Sequence, residues 1–409
     1  MAGTRKDARG YKLNTGEYQR KDGRYSYKYT DKRRGERRSV YAESLAELRK
    51  KERKIIRDIE DGIDPTLADR LTLNELYDKY ISEKYDLKPT TKACYIYAYN
   101  HFVRGTFGTK KIKSIRYSDV KRFYYELIRE RNLKAYTLDN VHSQIHPAFR
   151  MAVRDGLLRF NPADEVMAEI KKSHVWDRPM RHALTVPEQR ELTTFLRGNR
   201  EFYGWAPIIM ILLGTGMRIG ECLGLRWDDL DFKKRMISVN HNLTDHAYGK
   251  GTPVKHIQTP KTRAGVRTIP MIDEVADAFL KEYEIQKCLG FRSETIDGFT
   301  NFVFLTWGGV VISANRVNRA IKRIITAHNE EETKKAEREG REPVLLPDFS
   351  AHNLRHTFCT RLCENETNLK VIQSIMGHAD ISTTMNIYAE ATDDKKQEIV
   401  ANLQGKIII

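Results

Sequence analysis

The sequence has 409 residues, 40% hydrophobic and 31% charged, which is typical of a globular chain that folds as two or three domains. Its formal charge of +16 indicates a polyanionic partner, and nucleic acid is the leading candidate because each neutralised phosphate releases counterions. An anionic membrane surface is the weaker alternative, since the sequence has no apolar run of about 18 residues, no lipidation motif and no apolar signal-peptide core. A cytoplasmic location is therefore expected.

Residues 1–64 are predicted to form a small basic domain with a three-stranded sheet and a helix. The run RYSYKYT alternates strictly, which directs its tyrosines to one face of a strand and its polar residues to the other. After a returning strand, Ser44 and Glu47 open an amphipathic helix as a capping box. A disordered basic tail is the alternative, against which the alternation and the capped helix argue. Because a β-sheet can enter the major groove of DNA, the candidate DNA contacts are Arg24, Lys28, Lys32, Arg33, Arg34 and Arg37.

Residues 71–173 are predicted to be an all-helical DNA-binding domain. Thr72 and Glu75 repeat the capping-box pattern, and segments such as SDVKRFYYELIRER carry apolar residues at helical spacing. Basic and aromatic residues interleave there, which suits DNA binding but is equally compatible with any helical domain. The stretches DGIDPTLADR and KKSHVWDRPMRHALT are predicted linkers.

Residues 183–392 are predicted to form a mixed, mainly helical domain, which makes the chain a multidomain α+β protein. Within this domain MISVNHNL indicates a strand and HIQTPKTRAGVRTIPM a hairpin. The segment 329–343 is predicted to be a solvated, charged insertion without a role. Residues 393–409 are expected to form a short helical tail with an apolar end.

The first candidate for chemistry lies in LLGTGMRIGECLGLRW, where an apolar helix runs into a glycine turn. This turn delivers Arg218 to the start of the next helix, and Glu221 follows three residues later, near enough to orient the guanidinium. A buried Arg–Glu pair with a purely structural role is the alternative for this segment alone.

Further candidates cluster in the last sixty residues. In SAHNLRHTFC, His352 and Arg355 share a helix face, so an imidazole and a phosphate-binding guanidinium point to one place. His378 follows a tight glycine turn in IMGHAD, and Tyr388 lies ten residues later in MNIYAEAT. Each could be a core or surface residue by itself, but together they supply the donors and proton carriers of a phosphoryl transfer.

Two clusters could be interpreted as metal sites, and the sequence favours neither. His356, Cys359 and Cys363 recur on one helix face but lack a fourth ligand, and free cysteine is ordinarily a small buried apolar residue. The acidic run WDDLDF falls in a turn after a helix. We expect no metal and no cofactor, and the sequence contains no Walker motif.

The segments TGMRIGE, HNLRHT, MGH and MNIYAEAT resemble the four signature boxes of tyrosine recombinases, in order and at family-like spacing. With the basic amino-terminal domain and the helical middle domain, they resemble the integrases of conjugative transposons and of phage lambda. Met376 stands where the family often has leucine. The resemblance implies a bacterial or phage-encoded, nucleoid-associated recombinase that integrates and excises a mobile element.

By this resemblance Tyr388 attacks a DNA phosphodiester, forms a 3′-phosphotyrosine and expels a 5′-hydroxyl. Arg218 and Arg355 hold the non-bridging oxygens, and His378 donates to the same phosphate. His352 accepts the proton of the tyrosine.

Lys261, in TPKTRAG, resembles the mobile lysine of the family that protonates the leaving oxygen, and Lys255 lies in the same region. The implied partners are double-stranded DNA at core and arm attachment sites, further protomers in a tetramer on DNA, an excisionase and a host DNA-bending protein. The tail 393–409 docks either in cis or on a neighbouring protomer. A type IB topoisomerase and a non-catalytic DNA-binding regulator are the alternative functions.

Overall fold

The computed structural model describes residues 5–31, 35–60, 69–87, 89–173, 182–246, 254–260 and 262–393. The chain divides into two compact units, Met1–Pro179 and Met180–Ile409. Within the described ranges, every helix is too short or too polar to cross a lipid bilayer.

The first unit begins with a three-stranded antiparallel sheet in the order β1-β2-β3, formed by β1 (Glu17–Gln19), β2 (Tyr25–Asp31) and β3 (Glu36–Ala42). Helix α1 (Leu45–Glu60) packs on one face of this sheet, where Tyr25 and Leu48 belong to a small apolar core. Lys28 is exposed on the opposite face. The predicted alternation of β2, with tyrosines toward the helix and a free basic face, is confirmed.

The middle of the chain is a helical bundle made of α2 (Leu73–Ser82), α3 (Pro89–Tyr99), α4 (Tyr117–Arg129), α5 (Ala135–Arg154) and α6 (Val166–Lys172). Its core is rich in aromatic rings, and the stacked rings of Tyr77 and Tyr99 lie 3.6 Å apart. The capping box at the start of α2 is confirmed, since Thr72 Oγ1 accepts from the Glu75 amide at 3.3 Å and Glu75 Oε2 accepts from the Thr72 amide at 2.7 Å.

The second unit contains α7 (Val186–Gly198), α8 (Ala206–Thr215), α9 (Ile219–Leu223), α10 (Asp273–Leu289), α11 (Ala314–Glu339), α12 (Ala351–Asn365), α13 (Leu369–Met376) and α14 (Ile381–Asp393). Helix α8 is apolar on nearly every side and packs against both α10 and α12. A helix that is apolar all round is stable only when buried, so the residues that follow α8 emerge inside the unit.

Two small sheets complete this unit, one with β4 (Leu230–Asp231), β5 (Met236–Val239) and β8 (Arg267–Pro270), the other with β6 (Asn242–His246) and β7 (Val254–Gln258). The prediction of a hairpin over HIQTPKTRAGVRTIPM is wrong. Its first half is part of β7 and pairs with β6, whereas its second half is β8 and pairs with β5. Pro260 and a short turn at Arg263–Gly265 separate the two halves. Alternation in a sequence predicts strands, but their pairing depends on contacts distant in the chain.

The prediction that 329–343 is a solvated insertion holds for most of its residues, but Glu332 and Ala336 are buried. Residues 329–339 continue α11, and the carboxylate of Glu332 is 5% exposed. Arg341 folds back and donates to both Glu332 oxygens, at 2.5 and 3.1 Å, which lowers the pKa of this carboxyl to about 2. Leu346 also donates its amide to Asn329 Oδ1 at 2.8 Å. The many charged residues of this segment therefore belong in part to the structured C-terminal end of α11, the longest described helix.

Candidate active site

The turn between α8 and α9 places Arg218 at the start of α9, where its side chain is 42% exposed. Gly216 ends α8 with a φ of +62°, and a Cβ at this position would lie 2.4 Å from the ring of Phe358, so the turn requires glycine. Arg218 then caps α9, where Glu221 Oε2 accepts from its amide at 2.9 Å and Glu221 Oε1 accepts from Nη1 at 2.7 Å. The Glu221 side chain is only 3% exposed. The predicted orientation of Arg218 by Glu221 is present in the structure.

Arg355 lies on the first turns of α12 and is buried. Its Nη1 donates to the carbonyl of Gly216 at 2.6 Å, and its Nη2 donates to the carbonyl of Met376 at 2.7 Å. Burial, followed by the like charge of Arg218, lowers the pKa of Arg355 to about 9. The guanidinium therefore remains charged at neutral pH, in a place where an anion would relieve the repulsion.

His378 follows the Gly377 turn and is buried beside α14. Its Nδ1 lies 2.9 Å from Oγ1 of Thr384, a residue with no exposed surface. Burial and the charges of Arg355 and Arg218 lower the pKa of His378 to about 4. The imidazole is therefore neutral at physiological pH.

Three consecutive carbonyl groups before His378 each accept a hydrogen bond from a different arginine. The carbonyl of Ile375 accepts from Arg267 Nε at 2.7 Å. The carbonyl of Met376 accepts from Arg355 Nη2 at 2.7 Å, and that of Gly377 accepts from Arg218 Nη2 at 3.1 Å. The last carbonyls of a helix have no partner within the helix, and cations are favoured at this end. Sequence reasoning missed Arg267, because a strand arginine in RTIP carries no local signal of burial.

Tyr388 lies on α14 and packs against an apolar cluster beneath α12. The cluster contains Cys359, Cys363, Ile372 and Met376, and the tyrosine is partly buried against it. Helices α12 and α14 are in extensive contact. The nucleophile candidate therefore sits on the helix that also holds Thr384, next to the helix that carries His352 and Arg355.

A cavity of about 520 Å³ is lined by three of the candidate groups, and neither His378 nor Tyr388 is among its lining residues. Arg218, His352 and Arg355 line it together with residues from the start of α11 and from β6. The β6 contribution includes Asn242 and Asp245. The structure thus brings three of the predicted site residues to one concave surface, and His378 is joined to them through the hydrogen bonds to the preceding turn.

Of the two candidate lysines, Lys255 lies in the described part of the chain. Lys261 lies outside the described residues. Lys255, on β7, forms an ion pair of 2.6 Å with Glu294, and its side chain is 19% exposed. Lys255 is therefore already neutralised by a carboxylate.

The predicted DNA contacts of the first unit lie partly on the free face of the sheet. Lys28 Nζ is 5.1 Å from the ring centroid of Tyr18, and Arg37 is exposed on β3 opposite Thr30. Arg24 is also exposed and pairs with Asp22 at 2.7 Å. The remaining candidates, Lys32, Arg33 and Arg34, lie outside the described residues.

The described part of the chain contains no group of three or more His, Cys, Asp and Glu side chains arranged to hold a metal ion. Cys359 and Cys363 are buried in the apolar cluster, and His356 Nδ1 lies 3.3 Å from Thr360 Oγ1. In the acidic turn, Asp229 Oδ2 accepts from the amide of Arg226 at 2.9 Å.

The sequence matches two known families over most of its length. Residues 184–395 match the phage integrase family, and residues 1–59 match the DNA-binding domain of Tn916 integrase. The chain is 32% identical to the transposase from transposon Tn916 of Enterococcus faecalis, over 96% of this chain and 95% of that protein. A transposase from transposon Tn1545 of Streptococcus pneumoniae shows the same identity and coverage.

Solved structures agree with these matches. The Tn1549 transposon integrase in complex with transposon right-end DNA superposes with a TM-score of 0.70 at 31% identity, covering 82% of this chain and all of that chain. A lambda integrase dimer bound to a core site has a TM-score of 0.53 at 17% identity, covering 92% of this chain and 95% of that chain, which shows the same fold.

The chain belongs to the phage integrase family of tyrosine recombinases. It is a site-specific recombinase that integrates and excises a mobile element, and it is similar to the integrases of conjugative transposons. The family, the multidomain fold and the strand-transfer activity predicted from the sequence are confirmed, which argues against a topoisomerase or a non-catalytic regulator.

Proposed function

We propose that this recombinase cleaves DNA with Tyr388 as the nucleophile. The phenolic oxygen attacks the phosphorus of a phosphodiester, and a new O–P bond forms while the bond to the 5′ oxygen breaks. His352 accepts the phenolic proton, and Lys261 protonates the leaving oxygen, so the products are a 3′-phosphotyrosine and a 5′-hydroxyl. The observation that carries this proposal is that Arg218, His352 and Arg355 line one cavity, and that Tyr388 lies on the helix packed against the one that carries His352 and Arg355.

The positive charges of the site are held in position by the protein itself. Arg218 is fixed by Glu221, and Arg355 by two carbonyl oxygens, so neither guanidinium needs to reorganise when DNA arrives. A phosphodiester carries one negative charge and the five-coordinate transition state carries more, so fixed donors stabilise the transition state preferentially. Burial and then the like charge of Arg218 lower the pKa of Arg355, and a bound phosphate would favour the charged guanidinium against both.

His378 would serve as a neutral hydrogen-bond donor to the same phosphate. Its pKa of about 4 keeps the imidazole uncharged at neutral pH, so one ring nitrogen donates and the other accepts. If Nδ1 accepts the hydroxyl proton of Thr384, Nε2 carries the proton and can donate to the phosphate. Thr384 then selects the tautomer.

Lys261 is favoured over Lys255 as the proton donor to the leaving oxygen. The ammonium of Lys255 is held by Glu294 at 2.6 Å and would have to leave this carboxylate to reach the DNA. The phosphotyrosine conserves the energy of the broken phosphodiester, so rejoining would need neither ATP nor a metal ion.

The DNA partners follow from the organisation of the chain. Residues 1–64 would bind arm sites, while residues 71–173 and 183–392 would clamp the core site in a cytoplasmic, nucleoid-associated complex. The similarity to the Tn916 DNA-binding domain and to a transposon integrase solved with transposon-end DNA supports this division. A lambda integrase tetramer bound to a Holliday junction shares the fold, which supports assembly as a tetramer on DNA. Residues 393–409 would dock in cis or in trans, and an excisionase and a host DNA-bending protein would assist.

A nicked attachment-site duplex tests the nucleophile. The nick lets the cleaved fragment diffuse away, so covalent protein–DNA adduct accumulates and is resolved by denaturing gel electrophoresis. Tyr388→Phe should form no adduct while its binding affinity for the duplex is unchanged. Tyr283→Phe, a partly exposed tyrosine on α10, is the matched control and should form adduct normally. Undiminished adduct from Tyr388→Phe would falsify the proposal.

A further inference from the structure

We infer that Arg267 is a positioning residue for strand cleavage, which holds the carboxylate of Glu221 and the turn before His378 in the arrangement that binds the phosphate. The inference rests on the proposed roles of Arg218 and His378. Arg267 is on β8, outside the signature segments, and it would touch neither the phosphate nor the tyrosine.

Each nitrogen of the Arg267 guanidinium donates to a different segment of the site. Nε donates to the carbonyl of Ile375 at 2.7 Å, Nη1 to the carbonyl of Gly265 at 3.2 Å, and Nη2 to Glu221 Oε2 at 2.9 Å. The side chain is 5% exposed. One planar group therefore connects the α9 start, the end of α13 and the segment that follows Lys261.

The hydrogen bond from Arg267 keeps the Glu221 carboxylate ionised beside Arg218. Burial by itself would raise the pKa of Glu221, but the hydrogen bond from Arg267 and the charges of Arg267 and Arg218 lower it below its ordinary value. Arg355 and Cys222 also face this carboxylate. The carboxylate is shared, with Oε1 accepting from Arg218 and Oε2 from Arg267. Without Arg267, a buried carboxylate would keep one cationic hydrogen-bond partner and would protonate more readily.

The link to α13 determines where His378 lies. Gly377 has a φ of +64°, and a Cβ there would lie 2.9 Å from Arg267 Nη1 and 2.8 Å from the carbonyl of Ala264. The turn therefore lies directly on the arginine and on the segment that follows Lys261. Removing the guanidinium would leave the Ile375 carbonyl unpaired and the turn unsupported.

An arginine is required because the three acceptors lie in different directions. A guanidinium presents its donors in a rigid planar fork, whereas an ammonium is a compact charge on a flexible stem. Arg267→Lys should therefore retain the charge opposite Glu221 but lose the connection between segments, and its cleavage rate should fall between those of wild type and Arg267→Gln.

Single-turnover cleavage of the nicked duplex by the full chain tests the inference. Arg267→Gln should bind the duplex with a Kd within about threefold of wild type and cleave at least about tenfold more slowly, in line with the loss of preorganised donors. Its cleavage rate should also fall off at a higher pH on the acid side, because Glu221 protonates more readily. Glu221→Gln/Arg267→Gln, which lacks this carboxylate, should lose the acid-side shift.

Arg341→Gln is the matched control for folding. It also removes an arginine from a buried glutamate, Glu332, which is about 26 Å along α11 from the residues that line the cavity. Thermal unfolding places both variants on one stability scale. Wild-type cleavage by Arg267→Gln, or a loss no greater than that of an equally destabilised Arg341→Gln, overturns the inference. Adduct formed by Tyr388→Phe would instead overturn the proposed function, whatever Arg267→Gln does.

Discussion

Arg218 donates Nη2 to the carbonyl oxygen of Gly377 at 3.1 Å, across 159 positions of the chain. This bond joins the turn after the buried helix α8 to the turn that presents His378. Two of the predicted phosphate ligands are therefore coupled through the protein before any DNA is present. A change that displaces one turn is expected to displace the other, and cleavage should suffer more than binding.

Arg355→Lys should reduce single-turnover cleavage by about 10²–10³-fold. A lysine cannot donate simultaneously to Gly216 and Met376, so the fork that fits phosphate oxygens is lost. Affinity for the attachment site should change only severalfold, because most of it comes from other phosphate contacts. Arg323→Lys, which is exposed and paired with Glu201, should cleave like wild type. An Arg355→Lys rate near that of wild type would contradict the role of this guanidinium.

Thr384→Val should slow cleavage about tenfold without unfolding the protein. The substitution keeps the buried volume but removes the hydroxyl beside His378 Nδ1, so the imidazole can adopt the tautomer that has no proton on Nε2. Thr383→Val, exposed one position earlier on α14, is the control and should be silent. Equal rates for the two variants would mean that Thr384 does not select the tautomer.

The DNA-free protein should lose stability as the pH falls from about 6.5 toward 4, and His378 should account for part of the loss. Its pKa is lowered in the folded state, so the unfolded chain binds a proton in this window and the folded chain does not. At pH 5 the expected contribution is about 2 kcal/mol of unfolding free energy. Denaturant unfolding at pH 7 and pH 5 should show a smaller loss for His378→Gln than for wild type.

His182→Gln, an exposed histidine of the same unit, should retain the wild-type pH dependence. A duplex that carries the attachment site should diminish the effect, because a phosphate beside His378 favours the protonated imidazole. Identical pH dependence in wild type and His378→Gln would show that the imidazole is not buried neutral.

Lys28→Ala/Arg37→Ala should weaken binding of an arm-site duplex and leave core-site cleavage unchanged. Both side chains are on the free face of the amino-terminal sheet. If each contacts one phosphate, the slope of log K against log salt should become shallower by about 2. Lys54→Ala, exposed on α1, should have no such effect. An unchanged slope in a salt titration would remove this face from the DNA interface.

The signature residues could be identified from the sequence because local geometry governs them. A glycine turn after an apolar helix delivers Arg218 to the start of the next helix, and a spacing of three along a helix brings His352 and Arg355 to one side. The strict alternation of β2 and the capping box of α2 depend equally on neighbours in the chain.

Other features depend on residues far apart in the chain, which no local pattern encodes. Arg267 contacts Ile375 across 108 positions, and in the sequence it is only an alternating residue of a strand. The pairing of β7 with β6 and of β8 with β5, and the burial of Glu332 against Arg341, are likewise decided by packing. Local periodicity specifies which face of an element is apolar, but the choice of partner for a buried charge or a strand edge is settled only when distant segments desolvate each other.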